Sequence, residues 1–228
     1  MLHIGPYLNR RLMPRQTAAA VLIVMFASGL GYLAYNLITA SILQARVRSA
    51  MPMVCAAIRE QRGELVSAIE AYKAHFGVYP QDHVVSRQPT VVDAINNPLL
   101  YELGGVIYNP ASKMFQLGGL EPADAKYVKG FFQCGGFENS GESSNQITRF
   151  LTANPLPARQ LHDDPDVFAA GFQVSYDGLA PEVVWEFEVS TWRYVSSAPT
   201  NNPGKFDLWM EVKTKSQTVT IGNWKAVD

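Results

Sequence analysis

The sequence predicts an α+β protein in which one long N-terminal helix lies against a C-terminal antiparallel β-sheet, and three observations predict it. The run from Thr17 to Leu43, TAAAVLIVMFASGLGYLAYNLITASIL, is apolar and holds no Asp, Glu, Lys, Arg or His. From Gln44 to Phe76, Val54, Ile58, Leu65, Ile69, Tyr72 and Phe76 recur at three- and four-residue steps, the period of an amphipathic helix. In the last quarter the period falls to two, as in strands with one dry face.

The first element is expected to span a membrane. About 20 apolar residues cross roughly 30 Å of hydrocarbon as a helix, and lipid leaves the backbone no partners except its own, so Gly29 and Gly31 do not argue against helix there. Ala27-x-x-x-Gly31 has the small-xxx-small spacing of close helix packing. The rivals are a helix buried in a large soluble core and a signal peptide. Against the second, the run exceeds a usual apolar signal segment, and Ile38-x-Ala40 and Arg48-x-Ala50 are poor cleavage sequences. Residues 1–16, with Pro6, Pro14, Arg10, Arg11 and Arg15, read as a short cytoplasmic leader. Arg46 and Arg48 follow the span and are diluted by Glu60 and Glu64, so the N-terminus is expected inside and the rest outside the inner membrane. Pro52 should kink the 44–80 stem or mark its restart, because proline removes a helical donor.

The remainder, 81–228, is long enough for one globular head with a real core. Asp93 to Leu103 reads as a short helix broken near Pro98, and Val106 to Tyr108 as a strand after Gly104-Gly105. Glu121-Pro122-Ala123-Asp124 reads as the start of a helix that runs to Lys129 and stops at Gly130. Gln133 to Ser144 has the composition of an exposed loop, and Gln146 to Thr152 reads as another helix. Val183 to Val189 alternates, with Trp185, Phe187 and Val189 on one face. Phe206, Leu208, Met210 and Val212 alternate against Asp207, Trp209 and Glu211, and Val219 and Ile221 against Thr218 and Thr220. The short connections Ser196 to Lys205 and Lys213 to Ser216 make these an antiparallel meander, with the stem helix as its second layer.

Composition restricts the function. The net charge is −1 and charged residues make up 17% of the chain, so no broad basic field recruits nucleic acid. Gly-x-Ser-x-Gly, Gly-x-x-x-x-Gly-Lys-Ser/Thr, His-Glu-x-x-His and Cys-x-x-Cys are all missing, and no enzyme is expected. Cys55 and Cys134 can pair as a disulfide in an oxidising compartment or stay as two free thiols. Cys134 with His75, His83 or His162 is the one candidate nucleophile pair. In His162-Asp163-Asp164-Pro165-Asp166, the carboxylates of Asp163, Asp164 and Asp166 can hold a hard cation such as calcium; otherwise they are a solvated turn capping a helix from Val167 to Ala170. Trp185, Trp192, Tyr194, Trp209 and Trp224 divide between core and sheet cover.

The end of the stem carries a resemblance. Ser67-Ala68-Ile69-Glu70-Ala71-Tyr72-Lys73-Ala74-His75-Phe76-Gly77-Val78-Tyr79-Pro80 resembles the end of the long helix in type IV pilin-like proteins and the major pseudopilins of type II secretion. Its marks are Tyr72 on the helix, then Gly77-Val78-Tyr79-Pro80, in which glycine can end the helix left-handed and proline blocks resumption. Asn97-Pro98-Leu99-Leu100-Tyr101-Glu102-Leu103 and the stretch from Asn202 to Val212, closed by Ile221-Gly222-Asn223-Trp224, are similar to segments of prepilin-like secretion proteins. The resemblance implies a pilin-like fold and a membrane-anchored structural component that associates with itself or with other pilin-like subunits in the cell envelope. The chain departs from that family in lacking Gly-Phe-Thr-Leu-Ile-Glu or its like. The nearest string, from Gly31 to Asn36, places Asn36 where an acid is expected. A single-pass anchored domain that binds a ligand or partner without forming a filament is the alternative.

Overall fold

The computed structural model describes residues 15–83, 92–151, 158–160, 167–171 and 178–224; side chains are described from Phe26 on, Ala27 and residues 158–160 excepted. The fold is α+β with a long N-terminal helix. Two compact units divide it, Met1–Arg48 and Ser49–Asp228.

Helix α1 runs from Arg15 to Phe76. It runs through Pro52 without a restart, one of the two outcomes expected there. An interior proline costs about 3 kcal/mol, but Ala50, Met51, Val54 and Cys55 are buried on either side of it, and their burial offsets that cost. In the first unit the described side chains from Ser28 to Ser41 are exposed on every face of the helix. Among the described residues no helix is long and apolar enough to cross a membrane. From Phe26 on, Tyr32, Tyr35, Asn36, Thr39 and Ser41 dilute the hydropathy of the run, and the side chains of 17–25 lie outside the described residues.

The end of α1 is as expected. Gly77 adopts φ +79°, and its N–H donates to Lys73 O at 2.9 Å. A Cβ at Gly77 would meet nothing within 4 Å, so only backbone strain opposes one. Gly77→Ala should therefore cost about 1 kcal/mol, lowering the melting temperature by about 2–4 °C for a domain of this size. Thermal unfolding checks this, and an unchanged midpoint would mean that the turn relaxes freely.

Five short elements follow. They are α2 (Leu99–Gly104), β1 (Val106–Asn109), β2 (Met114–Leu117), β3 (Ala123–Asp124) and α3 (Ala125–Phe131). With β4 (Ser140–Gly141) the strands form a sheet in the order β3-β2-β1-β4, antiparallel except for the parallel pair of β1 and β4. Three expectations change here. Helix α3 starts after Pro122, at the cap Asp124, whose Oδ1 accepts Tyr127 N–H at 2.8 Å, and Gly130 lies inside it. The glycine-rich stretch 133–144 is not simply an exposed loop, because Phe137 and Asn139 are buried and residues 140–141 pair with β1. Residues 146–151 are not helical. Their backbone groups bond to tertiary partners instead: Phe150 N–H to Leu103 O, and both Thr148 O and Thr148 N–H to the Asn139 side chain.

Strands β5 (Ala158–Gln160) and β6 (Phe168–Ala170) pair antiparallel, so the helix expected at 167–170 is a strand. The last elements are α4 (Pro181–Val184), β7 (Glu188–Val189), β8 (Arg193–Val195), β9 (Asp207–Lys213) and β10 (Thr218–Gly222). Strand β9 is central, with β10 on one side and β7 and β8 on the other, all antiparallel. The alternation read over 183–189 is mostly misleading. Pro181 opens a helical turn closed by Trp185 N–H to Pro181 O, and Trp185 is 77% exposed instead of facing inward with Phe187 and Val189. The expected dry face Phe206, Leu208, Met210 and Val212 is buried. On α1, Ile58, Leu65, Ala68, Ile69 and Tyr72 are buried in turn. The helix and the turn after it meet the C-terminal strands and their flanks: Trp192 Nε1–H donates to Gln61 Oε1 at 2.7 Å, Arg62 Nη1–H to Gly222 O at 2.6 Å, and the Tyr79 ring meets Phe206 edge-on at 5.3 Å.

Candidate functional site

The residues singled out at the end of α1 form a polar junction. Pro80 is buried, and its carbonyl accepts Tyr194 Oη–H at 3.0 Å and Ser196 Oγ–H at 2.8 Å. Asp82 Oδ2 accepts Ser196 N–H, Ser197 N–H and Ser197 Oγ–H, each at 2.8 Å. Tyr79 is half-buried. The Lys73 ammonium lies 4.7 Å from its ring centroid, and its hydroxyl reaches Glu70 at 3.5 Å. The fully buried aromatic of the motif is Tyr72, packed on Phe76 at 4.6 Å and Phe150 at 5.4 Å.

Tyr72 Oη–H donates to Glu102 Oε2 at 2.8 Å. Glu102 is 0% exposed, and its carboxylate also accepts Gln81 Nε2–H at 2.7 Å, Asn139 N–H at 3.2 Å and Glu138 N–H at 3.3 Å. None of the ion pairs among the described residues involves it. Burial pushes its carboxyl above the ordinary glutamate range, although the four donors pull the other way. Burial and the neighbouring Glu102 likewise push the Tyr72 phenol up. A cleft of about 370 Å³ opens beside this group, between Tyr79, Gln81, Gly136 and Glu138.

A second buried carboxylate organises the β8–β9 loop. Asp207 accepts Thr200 N–H and Asn201 N–H at 2.8 Å, Asn202 N–H at 2.9 Å, and both asparagine side-chain amides. The loop is thus closed by N–H donors. Asn223 continues the network, taking Leu208 N–H on its Oδ1 and giving its Nδ2–H to Phe206 O.

The remaining sequence candidates divide as follows. Cys55 and Cys134 are free thiols, the second of the two readings, and burial raises both. His75 is spent on ring contacts with Phe76 and Phe150, and His83 Nδ1 pairs with Asn96 O at 2.9 Å. Neither is brought to Cys134 by these contacts. His162, Asp163, Asp164 and Asp166 lie outside the described residues, among which no cluster of three metal-ligating side chains occurs. Gly31 is exposed and has open space around it, whereas the side chain of Ala27 lies outside the described residues. Trp192 and Tyr194 are core, Trp209 and Trp224 pack edge-on at 5.8 Å, and Trp185 is exposed.

Sequence reasoning missed Glu102, Asp82, Asn139 and Asp207. One signal was present for Glu102, a lone acid within the apolar string Leu99-Leu100-Tyr101-Glu102-Leu103. A charged residue that apolar neighbours carry into a core must find donors there. No family model matches the chain, and neither does any curated protein or any solved structure.

Proposed function

We propose that this chain is a membrane-anchored, non-enzymatic structural component of a pilin-like or pseudopilin-like assembly in the cell envelope, anchored in the inner membrane with its C-terminal unit outside the cytoplasm. The observation that carries the reading is the first part of α1. Phe26, Leu30, Leu33, Leu37 and Ile38 are each more than half exposed on a helix without a charged residue from Thr17 to Leu43. The hydroxyls on that helix turn inward on its own backbone: Thr39 Oγ1–H donates to Tyr35 O at 3.0 Å, and Ser41 Oγ–H to Leu37 O at 2.8 Å. An apolar surface of this kind requires lipid or other helices around it. The Gly77-Val78-Tyr79-Pro80 ending and the antiparallel C-terminal strands support the same reading.

Carbonate washing of membranes that carry the full chain, followed by self-association in detergent, tests it. The chain should stay in the washed membranes and associate. Gly31→Leu should weaken association without changing the melting temperature, because bulk at a small-xxx-small face prevents close helix approach. Release by carbonate would overturn the anchor. Retention with association untouched by Gly31→Leu would favour a lone anchored domain, the reading that the missing Gly-Phe-Thr-Leu-Ile-Glu string supports.

A further inference from the structure

Glu102 joins four pieces of the chain. Its own helix α2 supplies the carboxylate, α1 the Tyr72 hydroxyl, the turn after α1 the Gln81 amide, and the segment before β4 the N–H groups of Glu138 and Asn139. Gln81 Nε2 also donates to Gly136 O at 2.7 Å, so the same amide ties the turn to the glycine pair 135–136. The titratable groups that act on this cluster are Tyr72 from α1, Glu138 beside it, Cys134 from the segment after α3 and Tyr194 from β8. These are neutral or negative; the one cation that acts on the cluster, Lys129 of α3, acts on Cys134, and no cation of the described residues forms an ion pair with Glu102. A buried carboxylate in that setting is held by dipoles alone, and ionising it is costly compared with ionising it in water.

We propose that Glu102 is a proton-operated latch: uncharged, it lets α1, the 77–83 turn and the 135–139 segment close on α2, and ionised, it loosens the turn and that segment. A neutral carboxyl keeps three of the four contacts, since an O–H on Oε2 can donate to Tyr72 Oη while Oε1 still accepts from Gln81 and the Glu138 N–H, and only the Asn139 N–H, which reaches Oε2, is weakened. Loss of the proton leaves a buried charge that is relieved by letting water in through the adjoining cleft of about 370 Å³. The direction of the pH effect follows from the raised carboxyl. A group that binds its proton more tightly in the native state favours folding below its ordinary range. It loses that contribution as pH rises through the raised value.

The experiment is a melting-temperature profile against pH for the full chain and for Glu102→Gln, with hydrogen exchange of residues 77–83 and 135–139 at each pH. From the ordinary glutamate range upward, the wild-type midpoint should fall relative to that of Glu102→Gln, and exchange in both segments should rise once corrected for intrinsic rates. The amide variant, which mimics the protonated acid, should show neither change. Tyr72→Phe removes one donor to the ionised form while keeping the ring. It should shift the wild-type transition to higher pH, a readout that stands even if Glu102→Gln fails to fold. Parallel profiles for wild type and Glu102→Gln, or a Tyr72→Phe transition that stays in place or moves to lower pH, would overturn the latch.

Discussion

A chain that begins after Pro80 will not fold cooperatively, whereas one that begins near Arg59 will retain a melting transition. The shorter chain loses Leu65, Ile69 and Tyr72, all essentially inaccessible to solvent, together with Gln61, the acceptor of the Trp192 indole N–H. Emptying a buried Leu or Ile site costs about 2–5 kcal/mol and an aromatic site about 3–5 kcal/mol. Three such losses reach the whole 5–15 kcal/mol expected for a domain. The cut also removes the Tyr72 hydroxyl from Glu102 and the carbonyl of Pro80 from Tyr194 and Ser196. Near-ultraviolet circular dichroism and calorimetry on the two chains make the comparison. Equal transitions in both would show that α1 contributes nothing to the core.

Asp207→Ala is expected to have the next largest effect. It strands the backbone N–H groups of Thr200, Asn201 and Asn202 and the side-chain amide of Asn201 at a site where Asp207 is buried, while the Asn202 amide keeps Phe206 O and Asn223 Oδ1. Each unsatisfied buried donor costs about 1–3 kcal/mol. Partial access of water to the loop reduces the sum, leaving an expected loss of about 3 kcal/mol or more. Urea unfolding should show the midpoint drop with the slope unchanged, and amide exchange should rise in residues 200–202. Asp207→Asn, which retains one acceptor oxygen, should fall between. A loss under 1 kcal/mol for Asp207→Ala would mean that the asparagines and Asn223 hold the loop by themselves.

The parts of this fold that were legible in the sequence are those in which one periodic signal dominates. The helix to Phe76, its end at Gly77 and the buried alternation of Phe206 to Val212 follow from apolar spacing and from the backbone freedom of glycine. The same reasoning failed where two signals compete. Val183 to Val189 alternates, yet Pro181 starts a helical turn that takes its first half and leaves Trp185 outside. Residues 146–151 have helical composition, but the Asn139 side chain and Leu103 O offer their backbone stronger partners from elsewhere. The candidate site was half legible: the spacing from Tyr72 to Pro80 marked the junction and Asp207 finds its donors within its own loop, while Glu102 and Asp82 act through donors that lie far off in the chain. A single sequence carries no local mark of such pairings. Tyr79 stood out as much as Tyr72 did, and only packing separates the half-exposed ring from the buried one.

The carbonyl of Pro80 binds side chains 114 and 116 positions away, and that separation governs the order of folding. Contacts so remote must overcome loop-closure entropy before they contribute, and topologies rich in them fold slowly. During synthesis α1 can form as soon as it emerges, because its hydrogen bonds are local. The turn after it cannot be fastened until β8 has been made, half the chain later. Through that interval Tyr72 can already meet Glu102 and Phe150, whereas Gln61 on the same helix still lacks the Trp192 indole that later donates to it.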